Sequence, residues 1–176
     1  QSIQAKESIE TKRVAIFVAD TFEDIEVLYP KTRLEEEGLE VVVVGPKKQT
    51  YTGKHGIEVK ADAIDDVGEV DALVLPGGYA PDKIRTHAAM LEVISMMVVA
   101  GKPVAAICHG PWLLCSSRFA DGTPVVAGRN CTSYRSIKDD LLNAGCRWTD
   151  APVVVDRNII TSRTAQDLSP FCPALI

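Results

Sequence analysis

Four short, nearly unbroken apolar runs set the strongest limit on the fold. They are Arg13 to Ala19 (RVAIFVA), Glu40 to Val44 (EVVVV), Ala72 to Leu75 (ALVL) and Val104 to Ile107 (VAAI). Strict alternation would mark strands with one wet face, whereas continuous runs mark strands buried on both faces, as in a parallel sheet. Parallel strands need crossovers, and helical patterns lie between the runs. Phe22 to Glu37 carries Ile25, Leu28, Tyr29 and Leu34 and stops at Gly38. Pro81 to Ala100 carries Ile84, Met90, Leu91, Ile94, Met97 and Val98 and stops at Gly101, with proline at its start and glycine past its end. Ser136 to Asn143 reads as a third helix, ending before Gly145. Thr50 to Asp62 reads as a hairpin excursion, and Val153 to Ser162 as a second hairpin with Arg157-Asn158 at its turn. This alternation predicts a doubly wound α/β domain. A chain of 176 residues can bury one full core, so residues 13–176 are expected to form a single domain, preceded by a polar, flexible extension at 1–12.

The net charge of −5 comes without a basic patch, which argues against nucleic acid or an anionic membrane as partner. No apolar run approaches the ~20 residues of a membrane span, and no secretory signal opens the chain. The five cysteines, at 108, 115, 131, 146 and 172, are odd in number and contain no C-x-x-C pair. With only His55, His87 and His109 to join them, they suit neither a disulfide framework nor a zinc site. The expectation is a cytoplasmic protein without metal or cofactor.

The stretch VAAICHGPWLL, Val104 to Leu114, carries the chemistry. Sites in open α/β sheets gather at the carboxyl ends of strands, where Cys108 sits. Ala106 two residues before it and Gly110 two after it are the small residues that a sharp strand-to-helix nucleophile elbow requires. The following helix N-terminus is expected to lower the thiol pKa. His109 can reach the thiol only if the turn swings it round, since adjacent side chains on a strand point to opposite faces. Two further segments end at the same sheet edge. ADTFEDIE offers Glu23, Asp24 and Glu26, of which two are explained as helix-start charges, while a carboxyl beside the cysteine would share its proton. LPGGYAPDK offers Gly77 and Gly78, whose backbone N–H groups suit a substrate oxygen or an oxyanion hole.

Six segments in fixed order, TFEDIE…YP…RLEEEG, TGKHG, DALVLPGGYAPDKIR, GKPVAAICHGPWLL, TSYRSIKDDLLNAG and VVVD…IITSR…DL, resemble the PfpI/ThiJ family. That family comprises intracellular cysteine peptidases and relatives, and its wider superfamily includes protein deglycases and glutathione-independent glyoxalase III enzymes. The resemblance spans residues 13–169. It implies a flavodoxin-like three-layer sandwich with a mainly parallel sheet. It makes Cys108 the nucleophile and Glu23 a protonated glutamate on the cysteine sulfur. It makes His109 the histidine of the peptidase branch, and Gly78 with the His109 N–H the oxyanion hole. Asp82 falls where that branch carries a glutamate reaching the histidine of a neighbouring subunit, which implies a homo-oligomer, a dimer or hexamer. The chain departs from the pattern at FADGTPVVAG, residues 119–128. It departs again at the end, SPFCPALI, where two prolines imply a shortened or irregular final helix.

Three functions fit these residues. Cys108 adds to small reactive aldehydes, with Glu23 or His109 moving the proton. It attacks peptide bonds, with His109 as base oriented by Asp82 of a partner. Or it is an oxidation sensor in a non-enzymatic chaperone or binding module.

Overall fold

The computed structural model describes residues 11–176, so the extension expected at 1–12 falls almost wholly outside it. Eight strands form one sheet in the order β3-β4-β2-β1-β5-β6-β10-β9. They are β1 (Arg13–Phe17), β2 (Glu40–Gly45), β3 (Gln49–Thr52), β4 (Glu58–Ala63), β5 (Ala72–Leu75), β6 (Val104–Ile107), β9 (Val153–Asp156) and β10 (Ile159–Ser162). A separate two-stranded ribbon pairs β7 (Asn130–Cys131) with β8 (Arg147–Trp148). The six strands from β4 to β10 are parallel to their neighbours, and only the two hairpins, β3–β4 and β9–β10, add antiparallel edges. β5, β6 and β10 are buried along their whole length, the burial that unbroken apolar runs predict. The predicted turn at Arg157-Asn158 is present, with Arg157 in the left-handed region at φ 55°.

Helices flank the sheet. α1 (Asp24–Glu36) packs on α6 (Leu168–Leu175), while α2 (Ala80–Ile84), α3 (Ala88–Val99) and α5 (Lys138–Asn143) each pack on the short α4 (Trp112–Ser116). The arrangement is the expected flavodoxin-like sandwich. No helix among the described residues is long and apolar enough to cross a membrane.

Three elements differ from their sequence reading. The single helix expected over 81–100 is two, broken where the N–H of His87 turns back to the Ile84 carbonyl and His87 adopts an extended backbone. The final helix is intact over eight residues despite its prolines. Pro170 occupies its first turn, where N–H groups have no helical partner, so only Pro173 costs a bond. The third difference concerns the facing of α1. Its buried stripe is Asp24, Glu26, Val27, Pro30 and Leu34, while Ile25, Leu28 and Tyr29 are exposed.

The order β2-β1-β5 places neighbours of β1 on both sides, one reached by chain before and one after the intervening hairpin. That junction is the switch point at which open α/β sheets leave a crevice. Asp24 closes one side of it. Its buried carboxylate accepts the N–H groups of His55 and Ile57, each at 3.0 Å, and so fastens the β3–β4 loop to the start of α1. Asp24→Ala should cost about 2 kcal/mol, the scale of hydrogen bonds to a charged group, and lower the melting temperature by roughly 4–8 °C. Amide exchange at His55 and Ile57 should speed up in the same variant.

Candidate active site

The site is assembled from the ends of three adjacent strands. β1 runs into Thr21–Glu26, β5 into Gly77-Gly78 and β6 into Cys108. Cys108 has φ 63°, a left-handed backbone that a side chain adopts only when its surroundings enforce it, at a cost of about 1–3 kcal/mol. Both of its backbone groups are held. Its N–H donates to the Ser162 carbonyl at 3.1 Å, and its carbonyl accepts from the Tyr134 N–H at 2.9 Å. The small neighbours expected for an elbow have their reason here. Ala106 is fully buried, and a Cβ on Gly110 would run into the Leu75 carbonyl oxygen. Of the five cysteines, all free, Cys108 alone is not fully buried.

The elbow swings His109 round onto the thiol. His109 Nδ1 lies 3.3 Å from Cys108 Sγ, and its Nε2 lies 3.3 Å from the Ser136 hydroxyl. The ring stacks on Tyr134, centroids 4.9 Å apart, and meets the edge of Trp112 at 5.1 Å. The Trp112 indole N–H is in turn fixed on Asp140 at 2.8 Å.

Two glycines turn the β5 loop under the thiol in different ways. Gly78, at φ 73°, faces the pocket, and a side chain there would collide with the backbone of Thr21 and Glu23. Gly77 is not available to substrate as the sequence suggests, because its N–H donates to Glu26 Oε1 at 2.7 Å. A Cβ on Gly77 would sit 2.8 Å from Glu26 Oε1, 2.9 Å from Cys108 Cβ and 3.0 Å from the His109 nitrogen. Carboxyl, thiol and histidine backbone therefore converge on the space that Gly77 leaves empty.

The carboxyl beside the cysteine is thus Glu26 and not Glu23. Glu23 precedes the helix, and its carboxylate is drawn outward to Lys54 Nζ and His55 Nε2, each at 3.2 Å. Glu26 is 1% exposed, and burial pushes its carboxyl up to about 8, opposed by the Gly77 N–H and reinforced by the negative charge of Glu23. Asp82 lies exposed on α2, is not among the residues that line the pocket, and makes no hydrogen bond or ion pair with His109 within the chain. Sequence pattern alone does not point to Ser136, Tyr134 or Lys54; Ser136 and Tyr134 lie in a loop whose approach to Cys108 depends on the sheet topology. Among the described residues no group of three or more His, Cys, Asp or Glu side chains is clustered to hold a metal ion.

The thiol does not follow the sequence expectation of a lowered pKa. Burial, and then the charge of an ionised Glu26, push Cys108 up to about 12, against the backbone N–H groups of His109 and Gly78. The helix after it is too short and too late to reverse this: α4 has five residues and begins four positions past the cysteine. Burial and the nearby Lys54 charge lower the His109 pKa, so the imidazole is neutral and accepts a proton instead of lending positive charge to the sulfur. The resting constellation is a thiol, a neutral imidazole and a protonated carboxyl, and it opens on a pocket of about 590 Å³. Lys54, Tyr79, Tyr134 and the segment Thr164–Gln166 form its rim.

The DJ-1/PfpI family matches residues 12–176. A deglycase of Pyrococcus abyssi is 50% identical over 159 residues, covering 89% of this chain and 92% of that protein. Deglycase PfpI of Pyrococcus furiosus is 46% identical over the same length and shares. YraA of Bacillus subtilis, which carries a cysteine-protease name, is 45% identical over 92% of this chain and 94% of its own. Among solved structures, a two-domain protein of Anabaena variabilis with a DJ-1/ThiJ/PfpI-like and a ferritin-like domain superposes with a TM-score of 0.88 at 38% identity. The alignment covers 94% of this chain and 47% of that one, about half its length. Drosophila melanogaster DJ-1beta gives 0.85 at 25% identity, covering 94% and 89%.

A buried carboxyl with a raised pKa binds its proton in the folded state after the unfolded chain has lost it, so it lowers stability as pH rises from its ordinary 4.5 to about 8. Glu26→Gln removes that penalty and keeps an oxygen for the Gly77 N–H. It should melt above wild type, with the gap widening between pH 5 and pH 9 by roughly 4 kcal/mol, or about 8–16 °C. The check is paired calorimetry of the two proteins across that range.

Proposed function

The chain belongs to the DJ-1/PfpI family, and from that premise we propose that it is a cysteine-dependent enzyme for small reactive carbonyl compounds, of the glyoxalase III or deglycase type. The observation that carries this reading is the convergence of the Cys108 thiol, His109 Nδ1 at 3.3 Å from it and the buried Glu26 carboxyl on one pocket of about 590 Å³. That volume lies in the range of small-molecule sites. The deglycase names of the Pyrococcus relatives point the same way.

An aldehyde carbonyl is electrophilic enough to capture a thiol whose proton leaves as the bond forms. His109 Nδ1 takes the Cys108 proton while the sulfur adds to the aldehyde carbon, and the carbonyl oxygen becomes a hydroxyl when the proton is delivered to it. The product is a hemithioacetal, with no net change in protonation. The N–H groups of Gly78 and His109 stabilise the oxygen as its charge develops. In an α-oxoaldehyde, moving the C1 proton of the hemithioacetal to C2 gives a thioester, and water then adds to its carbonyl and breaks the C–S bond, which releases lactate and returns the Cys108 thiol. Glu26, neutral at the start, spares the developing thiolate a neighbouring negative charge. A peptide bond is far less electrophilic and asks more of the base, and a neutral His109 without a carboxylate partner in its own chain is the weaker device for it.

The assay is lactate formation from methylglyoxal. Wild type should turn over, Cys108→Ser should lose activity by at least about a hundredfold, and His109→Ala should lose about a hundredfold, the scale of one general acid–base group. Absence of Cys108-dependent lactate together with cleavage of fluorogenic peptides would replace this reading with the peptidase one.

A further inference from the structure

We infer that Ser136 is the positioning residue of the site, closing a Cys108–His109–Ser136 relay inside a single chain. This rests on the reading of Cys108 as a nucleophile activated by His109. The Ser136 hydroxyl is 3.3 Å from His109 Nε2, and the opposite ring nitrogen is 3.3 Å from the Cys108 sulfur. A neutral imidazole has one N–H and one lone pair. When Ser136 Oγ accepts the Nε2 proton, the lone pair is left on Nδ1, facing the thiol. When the Cys108 S–H bond breaks and its proton forms the Nδ1–H bond, the imidazolium still donates Nε2–H to the same oxygen. The relay therefore passes through both states without rearrangement at Nε2.

The surrounding contacts leave this hydroxyl as the ring's polar anchor. Tyr134 and Trp112 hold the imidazole by stacking and edge contact, which fixes its plane but does not choose its tautomer. Ser136 lies in the 3-10 turn Arg135–Ile137, directly after Tyr134, whose N–H is bonded to the Cys108 carbonyl. The segment that fixes the elbow's backbone thus also delivers the hydroxyl. A serine differs from a carboxylate at this position because it carries no charge. It orients the ring without raising its basicity, in keeping with a resting pair of thiol and neutral imidazole. The charged and titratable groups around that pair are Lys54 from the β3–β4 loop, Glu23 and Glu26 from the start of α1, Tyr79 after β5, Tyr134 stacked on the ring, and the thiol itself. None of these is hydrogen-bonded to Nε2.

The test uses the full chain and needs no substrate, so it stands apart from the question of which carbonyl is turned over. Nitrogen-15 spectra of labelled histidine, assigned with a His109 variant, should show His109 protonated on Nε2 in wild type and mixed between nitrogens in Ser136→Ala. Iodoacetamide alkylation of Cys108 at pH 7 should slow about fivefold in Ser136→Ala, the worth of one hydrogen bond, and return to within about twofold of wild type in Ser136→Thr. Ser136→Ala with wild-type spectra and alkylation would overturn the inference. So would a loss that Ser136→Thr does not rescue, or a loss found in Asp82→Ala and on dilution with Ser136→Ala unaffected, which would assign the anchor to a second copy.

Discussion

A carboxyl group and a thiol crowded against the same glycine, Gly77, are strongly disfavoured from both being ionised, and the rest of the site follows from that constraint. With the Glu26 carboxyl pushed from 4.5 to about 8, its charged form is disfavoured by roughly 5 kcal/mol at the position it occupies. The close packing that leaves Glu26 1% exposed drives this, and the one backbone donor, the Gly77 N–H at 2.7 Å, offsets only part of it. The glycine is needed because any side chain there would fill the space on which carboxyl, thiol and histidine backbone converge. In the proposed reaction, neutral Glu26 lets Cys108 lose its proton to His109 without facing a second negative charge.

The strained backbone at Cys108 is the second half of the device. The left-handed conformation survives because parallel strand pairing holds β6 beside β10, so that Ser162 fixes the cysteine N–H, while the loop carrying Tyr134 fixes its carbonyl. The same strain turns His109 back onto the thiol, which a regular strand would forbid. Sheet order places the three loops at one switch point, and Asp24 fastens the β3–β4 loop beside them, which brings Lys54 to the pocket rim. Fold stability and site geometry are thus carried by overlapping sets of bonds.

Much of this was legible in the sequence. The unbroken apolar runs announced the parallel sheet, and Ala106, Cys108 and Gly110 announced the elbow, because steric limits act on neighbours in the chain. The resemblance assigns the thiol's carboxyl to Glu23, and the facing of α1 moves that assignment to Glu26. Ile25, Leu28 and Tyr29 look like the inner face of α1, which would turn Glu26 away from the core. The helix instead buries the stripe of Glu26, Val27, Pro30 and Leu34 and leaves those larger residues exposed. Glu23, the glutamate nearest the strand end, then looks like the partner of the thiol, but it precedes the helix and pairs with Lys54. The direction of the Cys108 shift was missed with it, since a short helix cannot offset burial beside a carboxyl. Ser136 stands 27 residues from His109 and joins it only through tertiary structure.

The central claim is that Glu26 carries a proton at neutral pH beside Cys108. Infrared difference spectroscopy between wild type and Glu26→Gln, followed from pH 5 to pH 10, reads that proton directly. The account predicts a protonated carboxyl band, present in wild type alone, that persists at pH 7 and titrates with a midpoint near 8. A Glu26 band already that of a carboxylate at pH 6 would contradict it.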